Sequence, residues 1–120
     1  MCKTRGIGLD LCDIDRMAEH LGDRFLEKYF TGQEAAYIRS RGGQAAQSMA
    51  GIWAAKEAVL KALGTGIVLP LQEIEISHTE LGQPTVTLHG RAAETAGGGN
   101  FLVSITHEKG MAAAVALWVE

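Results

Sequence analysis

Residues 47–66, QSMAGIWAAKEAVLKALGTG, decide how the rest of the chain is arranged. At about 100° per residue, Met49, Ile52, Trp53, Leu60 and Leu63 form one apolar stripe. Ala54, Ala55, Ala58 and Ala62 cover the opposite side, so no water-loving back remains. A surface helix sets its charges opposite its stripe, whereas one that is apolar or small all round is buried between other elements. A long, enclosed central helix ending at Gly64 is therefore expected. Its only ionisable groups are Lys56, Glu57 and Lys61. Glu57 and Lys61 are four apart on one flank of the stripe, and Lys56 projects within the apolar arc. On an exposed helix these would be an ion pair and a snorkelling lysine. On an enclosed one they need partners from elsewhere in the chain.

Upstream, Arg5 to Leu11 (RGIGLDL) predicts a strand in which Gly6 and Gly8 leave room for close backbone approach, with Asp10 near its end. Asp13 can cap a helix running to Leu21, closed by Gly22. Asp23 opens a second helix through Phe30, with Phe25, Leu26, Tyr29 and Phe30 on its apolar side. Thr31 and Glu34 fit a capping box for a third helix to Ser40, broken by Gly42 and Gly43. Downstream the period changes to two. Glu73 to Ser77 and Thr85 to His89 read as strands joined through LGQP, Arg91 to Ala96 as a short helix, and Phe101 to His107 as a strand. Met111 to Val119, MAAAVALWV, is apolar on both faces, which requires a central strand or a sheet covered by something else, such as another copy of the protein. The expected class is α+β, a mostly antiparallel sheet wrapped against the buried central helix, in one domain over residues 1–120.

With 120 residues, 47% hydrophobic and 21% charged, the chain suits a soluble globular domain and not a disordered one. Its 14 acidic and 11 basic residues, net −3, lack the bulk positive charge of a nucleic-acid binder. No apolar run approaches the ~20 residues that cross a membrane, and MCKTRGIGLD has no signal-peptide core, so a cytoplasmic location is expected. Cys2 and Cys12 form neither a CxxC pair nor a disulfide framework and read as ordinary thiols.

Asp10 and Glu57 sit on different elements and could converge. Two carboxylates suit Mg²⁺, which fills its remaining positions with water and substrate phosphates, and Lys61 beside them would bind phosphate charge. Gly64 to Gly66 could cradle phosphate through exposed amides or simply cap the helix. His107 could bind an anion, move a proton or be structural. His20, His78 and His89 share no zinc-ligand spacing with it, and Ser104 is in no GxSxG elbow.

GIGLDL, FTGQE, WAAKEAVLKALGTGI, IEI, LGQP and SITH follow one another in an order and spacing that resembles holo-[acyl-carrier-protein] synthase, the small 4′-phosphopantetheinyl transferase family. The resemblance covers nearly the whole chain. It implies transfer of 4′-phosphopantetheine from coenzyme A to a serine of an acyl carrier protein in fatty acid biosynthesis, releasing adenosine 3′,5′-bisphosphate. It assigns Asp10 and Glu57 to Mg²⁺ and Lys61 to the phosphate under attack. It places Gly64, Thr65, Gly66, Pro84, Ser104, Thr106 and His107 around coenzyme A. It further implies a homotrimer with sites between protomers. The base that takes the serine proton is Glu57 itself or a metal-bound water.

The resemblance implies an acidic carrier protein and puts its docking surface at Arg16, Arg24 and Lys28, a local cluster on a net-negative chain diluted by Asp15, Glu19, Asp23 and Glu27. Ile52 departs from the family pattern, since many members carry arginine there. Whatever contact that arginine makes is absent here or made by another residue. Two other classes would use the same residues. A non-catalytic coenzyme A or carrier-protein binding module would not need Asp10, Glu57 and Lys61, all of which are present. A metal-dependent phosphohydrolase would release adenosine bisphosphate without any carrier.

Overall fold

Strand β1 (Thr4–Asp13) leads into helices α1 (Ile14–Ala18), α2 (Asp23–Tyr29) and α3 (Gly32–Ser40), then the long α4 (Ala45–Leu63). The hairpin β2 (Ile74–His78) and β3 (Pro84–Leu88), helix α5 (Gly90–Ala96) and strands β4 (Asn100–Glu108) and β5 (Met111–Val119) complete the chain. This is a computed structural model that describes residues 3–64 and 68–120. Every strand pair is antiparallel. β1, β5 and β4 form one sheet in that order, with β2 and β3 in a separate one. The single sheet expected from the pattern is thus divided, although β3 lies alongside β4.

Helix α4 crosses the inner face of the three-stranded sheet diagonally. Its start meets β4, where Gly51 faces the Ile105 side chain, and its end meets β1. The Ala face and the strand glycines explain each other. A Cβ at Gly8 would stand 1.8 Å from the Ala58 carbonyl oxygen, and one at Gly6 would stand 2.0 Å from that of Ala62. Only bare backbone lets helix and strand approach so closely. Met49, Ala50, Ile52, Ala54, Ala55, Ala58 and Val59 are each at most 1% exposed, which confirms the enclosed helix. Gly64 closes it in the left-handed conformation at φ 61°.

Local signals set most boundaries. Asp13 caps α1 by accepting from the Arg16 amide at 3.1 Å, and the Thr31–Glu34 capping box opens α3. Helix α1 stops at Ala18 and does not reach Leu21. The His20 and Leu21 amides donate to Met17 and Ala18, three residues back, so the chain tightens out of the helix. Gly22 accordingly starts α2 as its N-cap and does not end α1. A 3-10 turn at Leu71–Glu73 takes the first residue assigned to the β2 strand by sequence.

β5 is the central strand, which accounts for its apolar character on the inner side. Ala112, Ala114, Ala116 and Trp118 are buried there. Cross-strand register puts Ile7, Leu117 and Leu102 together on the outer face, with Leu9 beside Val115 and Leu11 beside Ala113. Ile7, Leu9, Leu11 and Leu102 are all more than 60% exposed, so no described residue of the chain covers this face. No helix among the described residues is long and apolar enough to cross a membrane.

Candidate active site

Alternation along β1 turns Asp10 inward, beneath the last turns of α4. The Lys61 ammonium donates to Asp10 Oδ1 at 3.0 Å and to the Leu9 carbonyl at 2.9 Å. Lys61 therefore pairs with Asp10 and forms no ion pair with Glu57, four residues before it on the same helix flank. Asp10 and Glu57 line one cavity of about 1050 Å³. One wall is aromatic, built from Phe25 and Tyr29 of α2 against Trp53 of α4, with ring centroids 5.5 and 5.4 Å from the indole. Val68 to Leu71 form a second wall, and Arg16, Lys28 and Arg91 stand among the lining residues.

The cavity floor is electronegative. Burial first, and then repulsion from Asp10, hold the Glu57 carboxyl above its ordinary range, with Lys61 pulling the other way. The Cys12 thiol beside it is pushed up to about 11 by burial, then by Asp10 and Asp13, and is an unreactive thiol. No group of three or more His, Cys, Asp or Glu among the described residues could share a metal. The donor set is two carboxylates next to open space and a lysine. That set fits Mg²⁺, which keeps positions for water and phosphate oxygens.

Of the other residues picked out by sequence, Arg16 and Lys28 reach the rim of this cavity, and Arg24 joins Lys28 along a shallow groove beside it. Asp23, which would dilute that patch, is engaged by Arg39 at 2.8 Å. Arg91 of α5 faces the same cavity, and its position in a short helix carried no signal of this. The proposed coenzyme residues lie elsewhere in the protomer. Pro84 begins β3, and Ser104, Thr106 and His107 are on β4, at the opposite edge of the sheet from β1. Two strand spacings, about 10 Å, separate β4 from β1. Ser104 and Thr106 face outward, while His107 turns inward and meets Gln47 of α4 at 3.0 Å. Gly64 is the α4 cap; Thr65 and Gly66 lie outside the described residues. Ile52 is 1% exposed, so this position belongs to the core.

The chain matches the 4′-phosphopantetheinyl transferase superfamily over residues 6–112 and belongs to it. Within that family it resembles the holo-[acyl-carrier-protein] synthases. It is 42% identical over 119 residues to that of Alkaliphilus metalliredigens, covering 94% of this chain and 97% of the relative. Its fold matches the acyl carrier protein synthase of Mycobacterium tuberculosis with TM-score 0.80 at 35% identity, covering 97% of each chain. The Helicobacter pylori holo-[acyl-carrier-protein] synthase, in complex with coenzyme A, matches with TM-score 0.79 at 28% identity, over 93% of this chain and 98% of that one.

Proposed function

We propose that this phosphopantetheinyl transferase, working as one domain, moves 4′-phosphopantetheine from coenzyme A to a serine hydroxyl of an apo acyl carrier protein. Adenosine 3′,5′-bisphosphate leaves as product. The observation that carries this is the Asp10–Lys61 contact at 3.0 Å, with Glu57 lining the same cavity as Asp10. Asp10 and Glu57 would hold Mg²⁺, which when bound neutralises charge on the pyrophosphate oxygens. Lys61 stabilises the charge on the phosphoryl group under attack. The serine oxygen forms its bond to the phosphorus that bears pantetheine, and the bond from that phosphorus to the bridging oxygen breaks. Glu57 is also the carboxylate placed to take the serine proton. The enzyme acts in the cytoplasm in fatty acid biosynthesis, an assignment that rests on the family.

Nucleotide analysis separates this reaction from hydrolysis. Adenosine bisphosphate is expected only when carrier protein is present and in step with its modification. Steady release without carrier would mean that water is the acceptor.

The acidic carrier docks on Arg16 and Lys28, which line the cavity, and on Arg24, in the shallow groove beside it. Reversing Arg24 with Arg24→Glu is expected to raise KM for the carrier about tenfold and leave KM for coenzyme A unchanged, as steady-state kinetics would read. Equal effects on both would place Arg24 elsewhere.

The active assembly is a homotrimer. The count of three rests on the family; two observations support sites shared between copies: the uncovered outer face of Ile7, Leu9, Leu11 and Leu102, and the separation of Asp10 on β1 from His107 on β4 at opposite sheet edges. Neighbouring copies that bury this face would let the β4 edge of one complete the β1 edge of another. Leu9→Lys is expected to give a monomer by sedimentation and to weaken coenzyme A binding at least about tenfold, because an uncompensated charge would enter a dry interface. A monomer with full affinity would contradict the shared site.

A further inference from the structure

Glu34 and Lys56 are both fully enclosed, with side chains 0% exposed, and their charged atoms meet at 2.7 Å. Neither is used by the transfer chemistry above. Every donor of the Lys56 ammonium is engaged: besides Glu34 Oε1 it donates to the Leu71 carbonyl at 2.8 Å and the Ile74 carbonyl at 2.7 Å. Its ammonium also stands 5.3 Å from the Phe30 ring centroid. Glu34 is equally committed. Oε1 accepts from the Thr31 amide at 2.8 Å, closing the capping box, and Oε2 accepts from the Ile76 amide at 2.7 Å. Burial pushes the Glu34 carboxyl up and the Lys56 ammonium down, each resisted by the other's charge.

Placing a buried ion pair here is an expensive way to gain stability, since well-packed apolar residues of similar volume do as well or better. Its location suggests a different use. Lys56 immediately precedes Glu57, so one turn of α4 carries both the pin and the carboxylate of the cavity. The carbonyl that Lys56 holds belongs to Leu71, the last residue of the Val68–Leu71 wall. On the other side of that carbonyl, the Gln72 side chain donates to the Glu27 and Phe30 carbonyls at the end of α2. The pair thus fixes three things relative to one another: the rotation of α4, the Leu71 end of the cavity wall, and α3 with its capping box.

We propose that Glu34 and Lys56 are positioning residues for phosphopantetheine transfer, holding the Val68–Leu71 wall at a set distance from Glu57 so that the coenzyme is gripped in line. This rests on the transferase activity proposed above. It predicts a split between the two substrates. On that reading the cavity beside Asp10 and Glu57 takes the coenzyme pyrophosphate and Val68–Leu71 line it, whereas neither Glu34 nor Lys56 bonds to Arg16, Arg24 or Lys28 of the carrier surface.

The test uses the full chain carrying Lys56→Met, and also Glu34→Gln with Lys56→Met, which removes both charges at nearly constant volume and keeps the core free of a lone buried ion. Circular dichroism establishes the temperature range in which each variant is folded. Within it, a misplaced wall is expected to weaken coenzyme A binding by calorimetry and lower kcat, each about tenfold, with KM for the carrier within about twofold of wild type. A folded variant with wild-type coenzyme affinity and kcat would overturn the proposal, making the pair purely structural. Equal losses toward coenzyme and carrier would overturn it too, as general loosening. The wild-type arm judges the transferase activity separately: failure to modify carrier there would remove that activity, while the affinity comparison still decides the role of the pair.

Discussion

Glu57→Gln is expected to reduce transfer at least about a hundredfold at saturating coenzyme A and carrier, with the fold intact. Glutamine keeps the volume and one acceptor but removes the charge that would hold the cation and the basicity that would take the serine proton. Asp10 and Lys61 remain in place, so the loss isolates Glu57. Unchanged turnover at saturating Mg²⁺ would remove Glu57 from the chemistry. The same variant has a second, opposite effect. Burial and Asp10 hold the Glu57 carboxyl above its ordinary value in the folded chain. Between the ordinary and the raised value the folded state binds more protons than the unfolded one, so stability falls as pH rises through that window. Above the window the deficit persists. In chelator at neutral pH, Glu57→Gln should therefore melt higher than wild type, and the gap should close as pH falls below the ordinary glutamate range. A variant both inactive and less stable at neutral pH would mean that Glu57 serves the fold.

Gly8→Ala is expected to destabilise the protein by at least about 3 kcal/mol, a fall in Tm of about 10 °C or more. The added methyl would meet the Ala58 carbonyl oxygen at 1.8 Å and the Ala62 amide nitrogen at 2.8 Å. Both are backbone atoms of α4, which no rotamer change can move, so helix and strand must part. Because Asp10 and Leu9 follow Gly8 on the same strand, the contact from Lys61 to that strand would be disturbed as well. Thermal denaturation measures it directly. A Tm within about 2 °C of wild type would show that α4 can shift at small cost, contrary to close packing of helix on strand.

Much of this was legible in the sequence because it is written locally. The two-sided apolar helix, the small residues of β1 and the caps at Asp13, Thr31 and Gly64 each carry their own structural reason within a few positions. Lys56 was legible as a problem but not as a solution. Its partner Glu34 is fully accounted for by the capping box with Thr31, and nothing in the spacing marks it as serving a second site twenty-two residues on. The early stop of α1 depends on three-residue hydrogen bonds at His20 and Leu21 that Gly22 conceals, since glycine can end one helix or begin the next. Arg91 reaches the cavity only through the packing of α5 against the turn at Leu71–Glu73. In the sequence, Ile7, Leu9 and Leu11 are only the apolar residues of a short strand. Its exposure emerges only when β1, β5 and β4 are seen side by side with nothing over them.

If Asp10, Glu57 and Lys61 carry metal-dependent transfer of phosphopantetheine, carrier protein gains mass only when the metal is present. The most direct measurement is the intact mass of an apo acyl carrier protein after incubation with this enzyme, coenzyme A and Mg²⁺, alongside a chelated control. A gain of one phosphopantetheine, about 340 Da, that disappears with chelator is the predicted result. No gain with several carrier proteins, despite measurable coenzyme A binding, would contradict it and leave a binding module.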